Sequence, residues 1–350
     1  MKPAVKLKNE FAFVEQTLQK YRDITLSALL KSIPSREPKK HLYDLMLVYP
    51  SRLGKGIRAA LCLATCNAFK GDINLAINSA VAIELFHNGF LMHDDIQDES
   101  QFRRGAPTLF VEQGTGIAIN VGNALNLFSL RLLMENREIL GPNLSWQIFK
   151  ETEEMLRQTL EGQALELGWI KDNACELTDQ DYLRMSLKKT SWYTCIYPLV
   201  VGALTATGGA VDRDRFYRFG WYLGLAFQIR DDLLNLVGQY KKYGKEIYGD
   251  IQEGKRTLIL IHLLNNCSAG EKLKLKTYLA LPRGKRSIKD TQWVYQMMLK
   301  YQSIDYARMC AQRFVGAALH EFFVAFGDLP GSDDKRFILE MILYMAERDR

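Results

Sequence analysis

Asp94, Asp95 and Asp98 stand together as DDIQD, and Asp231, Asp232 and Asn235 repeat the pattern as DDLLN. On an α-helix, residues i and i+4 share a face, so Asp94 points with Asp98. Two carboxylates on one face repel each other, and a divalent cation between them relieves that cost. Magnesium suits such a place because it takes hard oxygen ligands, keeps several waters and bridges carboxylates to phosphates. Asn235 offers a neutral oxygen, so the second segment is expected to hold metal less tightly. Each segment follows apolar residues, FLM in one case and LAFQI in the other, which argues against two solvated acidic faces.

Cations follow the acids. QFRRGAPT places Arg103 and Arg104 in a loop broken by Gly105 and Pro107. Guanidinium forks grip phosphate oxygens bidentately, so acids that hold magnesium and a following arginine pair compose a diphosphate receptor. GKGIR sets Lys55 and Arg58 three residues apart, on one helical face or at a helix start. LKKTS carries Lys188, Lys189 and Thr190, and GKEIYGDIQEGKRT carries Lys245, Lys255 and Arg256. His87 lies two helical turns before Asp94 on the same side and could donate to a second anion. GKGIR lacks P-loop spacing, and neither GxGxxG after a strand nor GxSxG is present.

The elements that must position these groups read as helices. Apolar residues recur at three- and four-residue steps from Leu53 to Leu91, Val111 to Met134, Trp146 to Trp169 and Phe216 to Val237. Breaks fall at KGD, RRGAP, LGPN, KDNACELTD and TGGAVDRD, several with a Ser or Asp able to cap the next helix. No Asn-Gly or Asp-Gly joins two alternating runs, so a sheet is not expected. The 350 residues are 47% hydrophobic and 25% charged, enough for a sizeable core. With no Pro/Gly/Ser-rich linker, residues 1–350 are expected to form one domain. The net charge of +6 is spread along the chain, so no nucleic-acid partner is expected. Six cysteines without zinc spacing, and an N-terminus without a signal-like apolar stretch, point to a cytoplasmic chain. Thr190 to Val211 carries no charge, yet its prolines, glycines and hydroxyls suit a buried helix better than a membrane span.

Together these segments resemble the trans-isoprenyl diphosphate synthases, or polyprenyl synthetases, from about Tyr49 to Thr257. DDIQDESQFRRGAPT is similar to the family's first aspartate-rich motif, FQIRDDLLN to the second and GKEIYGDIQEGKRT to its lysine-containing stretch. LGKGIR, Gly162-Gln163 and Lys189-Thr190 match the remaining short motifs. The resemblance implies an all-α helical bundle around a deep central cavity, usually a homodimer. It implies Mg2+, three ions with substrate bound, held by Asp94 and Asp98 on one side and Asp231 on the other. Asp95 and Asp232 would be secondary ligands. It implies an isopentenyl diphosphate site at Lys55, Arg58, His87 and Arg104. Contacts to an allylic diphosphate would come from Arg103, Lys189, Lys245 and Lys255. The oxygens of Thr190 and Gln228 would face a developing carbocation. Asn235, Leu53, Gly56, Ala59 and Asn123 depart from the family pattern. Phe90, one turn before Asp94, is expected to stop a growing tail early, giving a short product with geranylgeranyl preferred over farnesyl. A terpene cyclase on the same fold would not need the isopentenyl cations. A silent regulatory subunit would not need two largely intact acidic segments.

Overall fold

A computed structural model describes residues 11–237 and 248–347. Its long elements are helices: α1 (Ala12–Ser32), α2 (Ile57–Ala68), α3 (Ile73–Gln97), α4 (Thr115–Leu140) and α5 (Pro142–Lys171). α6 (Asp179–Ser186) runs into a π-helical stretch, Leu187–Ile196, which continues as α7 (Tyr197–Thr207). α8 (Asp214–Val237) and the short α9 (Gly249–Glu253) follow. The chain closes with α10 (Leu258–Asn266), α11 (Ala269–Leu279), α12 (Ile288–Lys300), α13 (Ser303–Phe326) and α14 (Asp333–Glu347).

The sequence signals for starts and stops operate as physical caps. Asp72 accepts the Asn74 amide at 2.9 Å and opens α3. Thr178 and Ser268 each close a reciprocal capping box, with Asp181 and Glu271 respectively. Gly56, at φ +67°, turns the chain into α2 and leaves Arg58 in the first turn.

α3 is central. It buries residues around most of its circumference, packing against α4, α2 and α1. The main core is built from α1 to α5, α7, the first part of α8, the end of α13 and α14. A second core joins α6, the last turns of α8 and helices α10 to α13. α8 bridges the two, with Phe227 in one and Ile229 in the other. The charge-free stretch from Thr190 is not one long helix. It divides between the π-helical stretch and α7, and Tyr197 to Thr205 are buried. Two other helices, α3 and α4, are long and apolar enough to cross a bilayer, with 61% and 44% of those windows buried inside the protein.

One expectation is corrected. Phe102–Arg103 (β1) and Ala106–Pro107 (β2) form a two-stranded antiparallel hairpin. Arg104 and Gly105 both have positive φ, 53° and 76°, the combination a tight two-residue turn demands. An arginine in the first of those positions gives no composition signal, so the hairpin was not legible.

Candidate active site

The last turns of α3, the π-helical stretch and the C-terminal half of α8 surround a cavity of about 1180 Å³. Asp94 and Asp231 both line it, so the two acidic segments face one space. Lys189, Thr190 and Gln228 line the same cavity, as do Lys55, Arg58, His87 and Arg104.

Within each Asp-Asp pair the two members do different things. Asp95 is fully buried and accepts from the Tyr49 hydroxyl at 2.6 Å and from Arg103 Nε at 2.8 Å. Asp232, also buried, accepts from the Tyr182 hydroxyl at 2.7 Å and from Gln228 Nε2 at 2.7 Å. A buried carboxylate must be satisfied this way or lose its charge. Burial pushes Asp232 up to about 7 even though both hydrogen bonds oppose it. Asp95 and Asp232 therefore anchor Arg103 and Gln228 respectively, and Asp232 lines the cavity as well.

Asp94 stays in the cavity with Arg103 Nη2 at 3.4 Å and Lys189 Nζ at 3.7 Å. Lys189 also pairs with Glu166 of α5. Burial acts to lower the Lys189 ammonium, but Glu166 and Asp94 outweigh it and hold the pKa above the ordinary lysine range. Asp98 is drawn aside: Lys255 Nζ lies 2.5 Å from its Oδ2, and Glu253 shares that lysine at 2.9 Å. Burial, then the charge of Asp94, pushes the Asp98 carboxyl up to about 7 against the pull of Lys255. Thr190 donates to Gln228 Oε1 at 2.6 Å, so Tyr182, Asp232, Gln228 and Thr190 form one hydrogen-bonded chain.

Also lining the cavity, Arg58 bonds Thr194 Oγ1 at 2.8 Å and lies over the Tyr193 ring. Arg104 bonds the Tyr49 carbonyl at 2.8 Å. Its guanidinium rests on Gly54, where a Cβ would lie 2.5 Å from Nη2. Lys55 sits over the Tyr344 ring of α14. Burial, reinforced by Arg58 and Arg104, holds the His87 imidazole well below the ordinary histidine range. Burial also brings the Arg104 guanidinium down to about 10. Each shift records positive charge gathered where water is scarce, a field that an anion would relieve.

Asn235 does not offer its oxygen to the cavity. It is buried, its Oδ1 accepts the Asp250 amide at 3.0 Å, and its backbone carbonyl accepts the Tyr248 amide at 3.0 Å. It pins the chain entering α9. Lys245 lies outside the described residues. Among the described residues no three His, Cys, Asp or Glu side chains converge to enclose a metal by themselves. Asp94 and Asp231 nonetheless supply hard oxygens from two helices to one cavity. Such an open donor set fits an ion that completes its shell with water and phosphate oxygens.

Sequence reasoning missed Tyr49, Tyr182 and Glu166, which carry no motif and matter only through contact. It also missed Arg52, which bonds the Pro107 carbonyl at 2.7 Å and braces the hairpin under Arg103. Gly162, singled out only by its motif, proves to be a crossing point. A Cβ there would collide with the Lys189 backbone, so its absence lets α5 meet the π-helical stretch.

A helical cavity lined by paired acidic segments and by gathered cations defines an enzyme that handles diphosphates. The family described as polyprenyl synthetase matches residues 39–298. The geranylgeranyl diphosphate synthase of Saccharolobus solfataricus is 30% identical over 272 residues, 76% of this chain and 78% of that protein. The geranylfarnesyl diphosphate synthase of Aeropyrum pernix is also 30% identical, over 79% of this chain and 89% of its own. The crystal structure of geranylgeranyl pyrophosphate synthetase from Pyrococcus horikoshii superposes with a TM-score of 0.83 at 29% identity, covering 98% of this chain and 99% of that one. The chain belongs to the polyprenyl synthetase, or trans-isoprenyl diphosphate synthase, family and is a prenyltransferase acting on isoprenoid diphosphates.

Asn235→Asp restores the family's third aspartate yet puts a charge where a neutral acceptor serves the Asp250 amide. It is expected to lower unfolding free energy by about 1–3 kcal/mol in urea titration. Half-saturating Mg2+ in turnover assays is expected to stay within about twofold, because an amide-to-carboxylate change outside the cavity adds no ligand there.

Proposed function

We propose that this prenyltransferase condenses an allylic diphosphate with isopentenyl diphosphate to give a short-chain prenyl diphosphate. The observation that carries the reading is the pair of separate cationic sets lining one cavity. Lys189 and Arg103 lie by Asp94, while Lys55, Arg58 and Arg104 form a second set, with the His87 imidazole among them as a neutral group. Two diphosphates need two such sets, whereas a cyclase that ionises a single diphosphate has no use for the second.

Asp94 and Asp231 would hold Mg2+, with Asp98 joining once its carboxylate leaves Lys255. When bound, the metal neutralises the allylic diphosphate and makes it a better leaving group. Arg103 and Lys189 hold the departing oxygens by charge-assisted hydrogen bonds. The allylic C–O bond breaks with its electron pair on the diphosphate, leaving an allylic cation. Thr190 and Gln228, locked to each other at 2.6 Å, turn oxygen toward that cation. The isopentenyl double bond then forms the new C–C bond, and the resulting cation loses a proton to the departed diphosphate. The buried walls keep out water that would quench either cation.

Similarity alone does not choose the product, since a geranylgeranyl and a geranylfarnesyl synthase are equally identical to this chain. The aromatic wall below Asp94 supports a short one. Phe90 lines the cavity, stacks on Phe86 at 6.2 Å between centroids and meets Tyr193 edge-on at 5.9 Å. The preference for geranylgeranyl over farnesyl diphosphate rests on the family resemblance. A homodimer is supported by apolar side chains exposed along one face of α4, with Leu127 64% and Met134 71% accessible.

The purified chain, given Mg2+, labelled isopentenyl diphosphate and C5, C10 or C15 primers, is expected to yield prenyl diphosphates ending at C20. Asp94→Asn is expected to lower kcat by about 100-fold or more. No incorporation of isopentenyl diphosphate by the unaltered chain, with ionisation of a long primer instead, would identify a cyclase. Phe90→Ala is expected to lengthen the product by at least one isoprene unit, and an unchanged distribution removes Phe90 from the wall. Sedimentation velocity is expected to show a dimer that Leu127→Glu dissociates; a monomeric unaltered chain refutes the homodimer.

A further inference from the structure

We infer that Arg22 of α1 is a further binding residue for isopentenyl diphosphate, completing that site from a helix outside every motif. The inference rests on the functional reading above.

Two glycines flank Lys55, and each supports an arginine. The guanidinium of Arg104 lies on Gly54, with Cζ 2.9 Å from where a Cβ would stand. The Arg22 stem lies on Gly56, with its Cβ and Cγ 3.1 and 3.2 Å from the corresponding point. A side chain at Gly56 would push Arg22 away, and φ +67° there favours glycine for its own reasons. The absence of a side chain at position 56 thus leaves room for a cation from α1 beside Lys55.

The face that α1 turns to the cavity is Glu15, Leu18, Gln19 and Arg22, spaced at three and four residues. Arg22 shares that cavity with Lys55, Arg58, His87 and Arg104. Its Nε is buried and makes no hydrogen bond, and its ion pair with the neighbouring Asp23 is loose at 3.6 Å. A buried guanidinium nitrogen without an acceptor is costly, and a phosphate oxygen in the cavity would supply one. The carboxylates at this end are Glu15 and Glu84, and Glu84 already accepts the Ala59 amide at 3.3 Å. Among the described residues Arg22, Lys55, Arg58 and Arg104 outnumber these two, a charge balance that suits an anion. Arg58 Nε, also buried without a hydrogen bond, lacks an acceptor in the same cavity.

Arg22 touches none of the acidic segments, so its contribution should fall on one substrate only. The test is steady-state condensation with Arg22→Gln and Arg22→Lys, with isothermal titration of the full chain with isopentenyl diphosphate alone. Arg22→Gln is expected to raise KM and Kd for isopentenyl diphosphate about tenfold, the loss of one charge-assisted hydrogen bond. KM for the allylic primer, kcat and the thermal midpoint are expected to stay unchanged. Arg22→Lys should recover part of the affinity, since an ammonium keeps the charge without the planar fork. Unchanged affinity for isopentenyl diphosphate in Arg22→Gln, or an equal rise in both KM values, overturns the assignment while the functional reading stands. An unaltered chain that neither binds nor incorporates isopentenyl diphosphate overturns both.

Discussion

Several carboxylates on the last turns of one helix, facing into protein rather than water, cannot be left without positive charge. Two like charges about 4 Å apart repel by roughly 4 kcal/mol where the effective dielectric is near 20, and burial adds its own penalty. The structure meets this constraint by delivering cations from three distant elements. Arg103 comes from the hairpin, Lys189 from the π-helical stretch and Lys255 from the turn before α10. Each pairing ties a separate segment to α3, so the charge that serves chemistry also closes the cavity. Lys255 holds Asp98 to one side of Asp94 through an ion pair at 2.5 Å.

The two Asp-Asp pairs solve the same problem twice. In each, the first aspartate faces the cavity and the second accepts a hydrogen bond from a buried tyrosine hydroxyl. Tyr49 serves Asp95 and Tyr182 serves Asp232. Each anchored aspartate also orients one more cavity group, Arg103 in the first case and Gln228 in the second. One member of each pair is therefore spent on rigidity, which lets the other meet a ligand from a fixed position. The internal echo in the sequence corresponds to this repeated division of labour.

Close backbone approach is the second requirement. The π-helical stretch that carries Lys189 and Thr190 is squeezed between α5 and α8. Gly162 on one side and Gly224 on the other stand where a Cβ would collide with Lys189 and Ser191. The extra residue per turn in a π-helix changes which side chains share a face, and such stretches occur at functional sites. Here the stretch keeps Lys189 beside Asp94 and Thr190 beside Gln228.

Residue type and spacing alone determined the class of fold, the helical period, the two acidic segments and the cations that accompany them. Those are local properties: hydrophobic period, caps and the i to i+4 geometry of carboxylates follow from neighbours in the chain. Which aspartate of a pair stays open depended on tyrosines 46 and 50 residues away, Tyr49 and Tyr182. Asn235 read as a weakened ligand, because its backbone partners at Tyr248 and Asp250 have no signature. Arg22 belongs to no motif, and only folding lays α1 across Gly56. Charge and burial are summed over three-dimensional neighbours, so the roles of these side chains were decided by tertiary structure, where separation along the chain no longer counts.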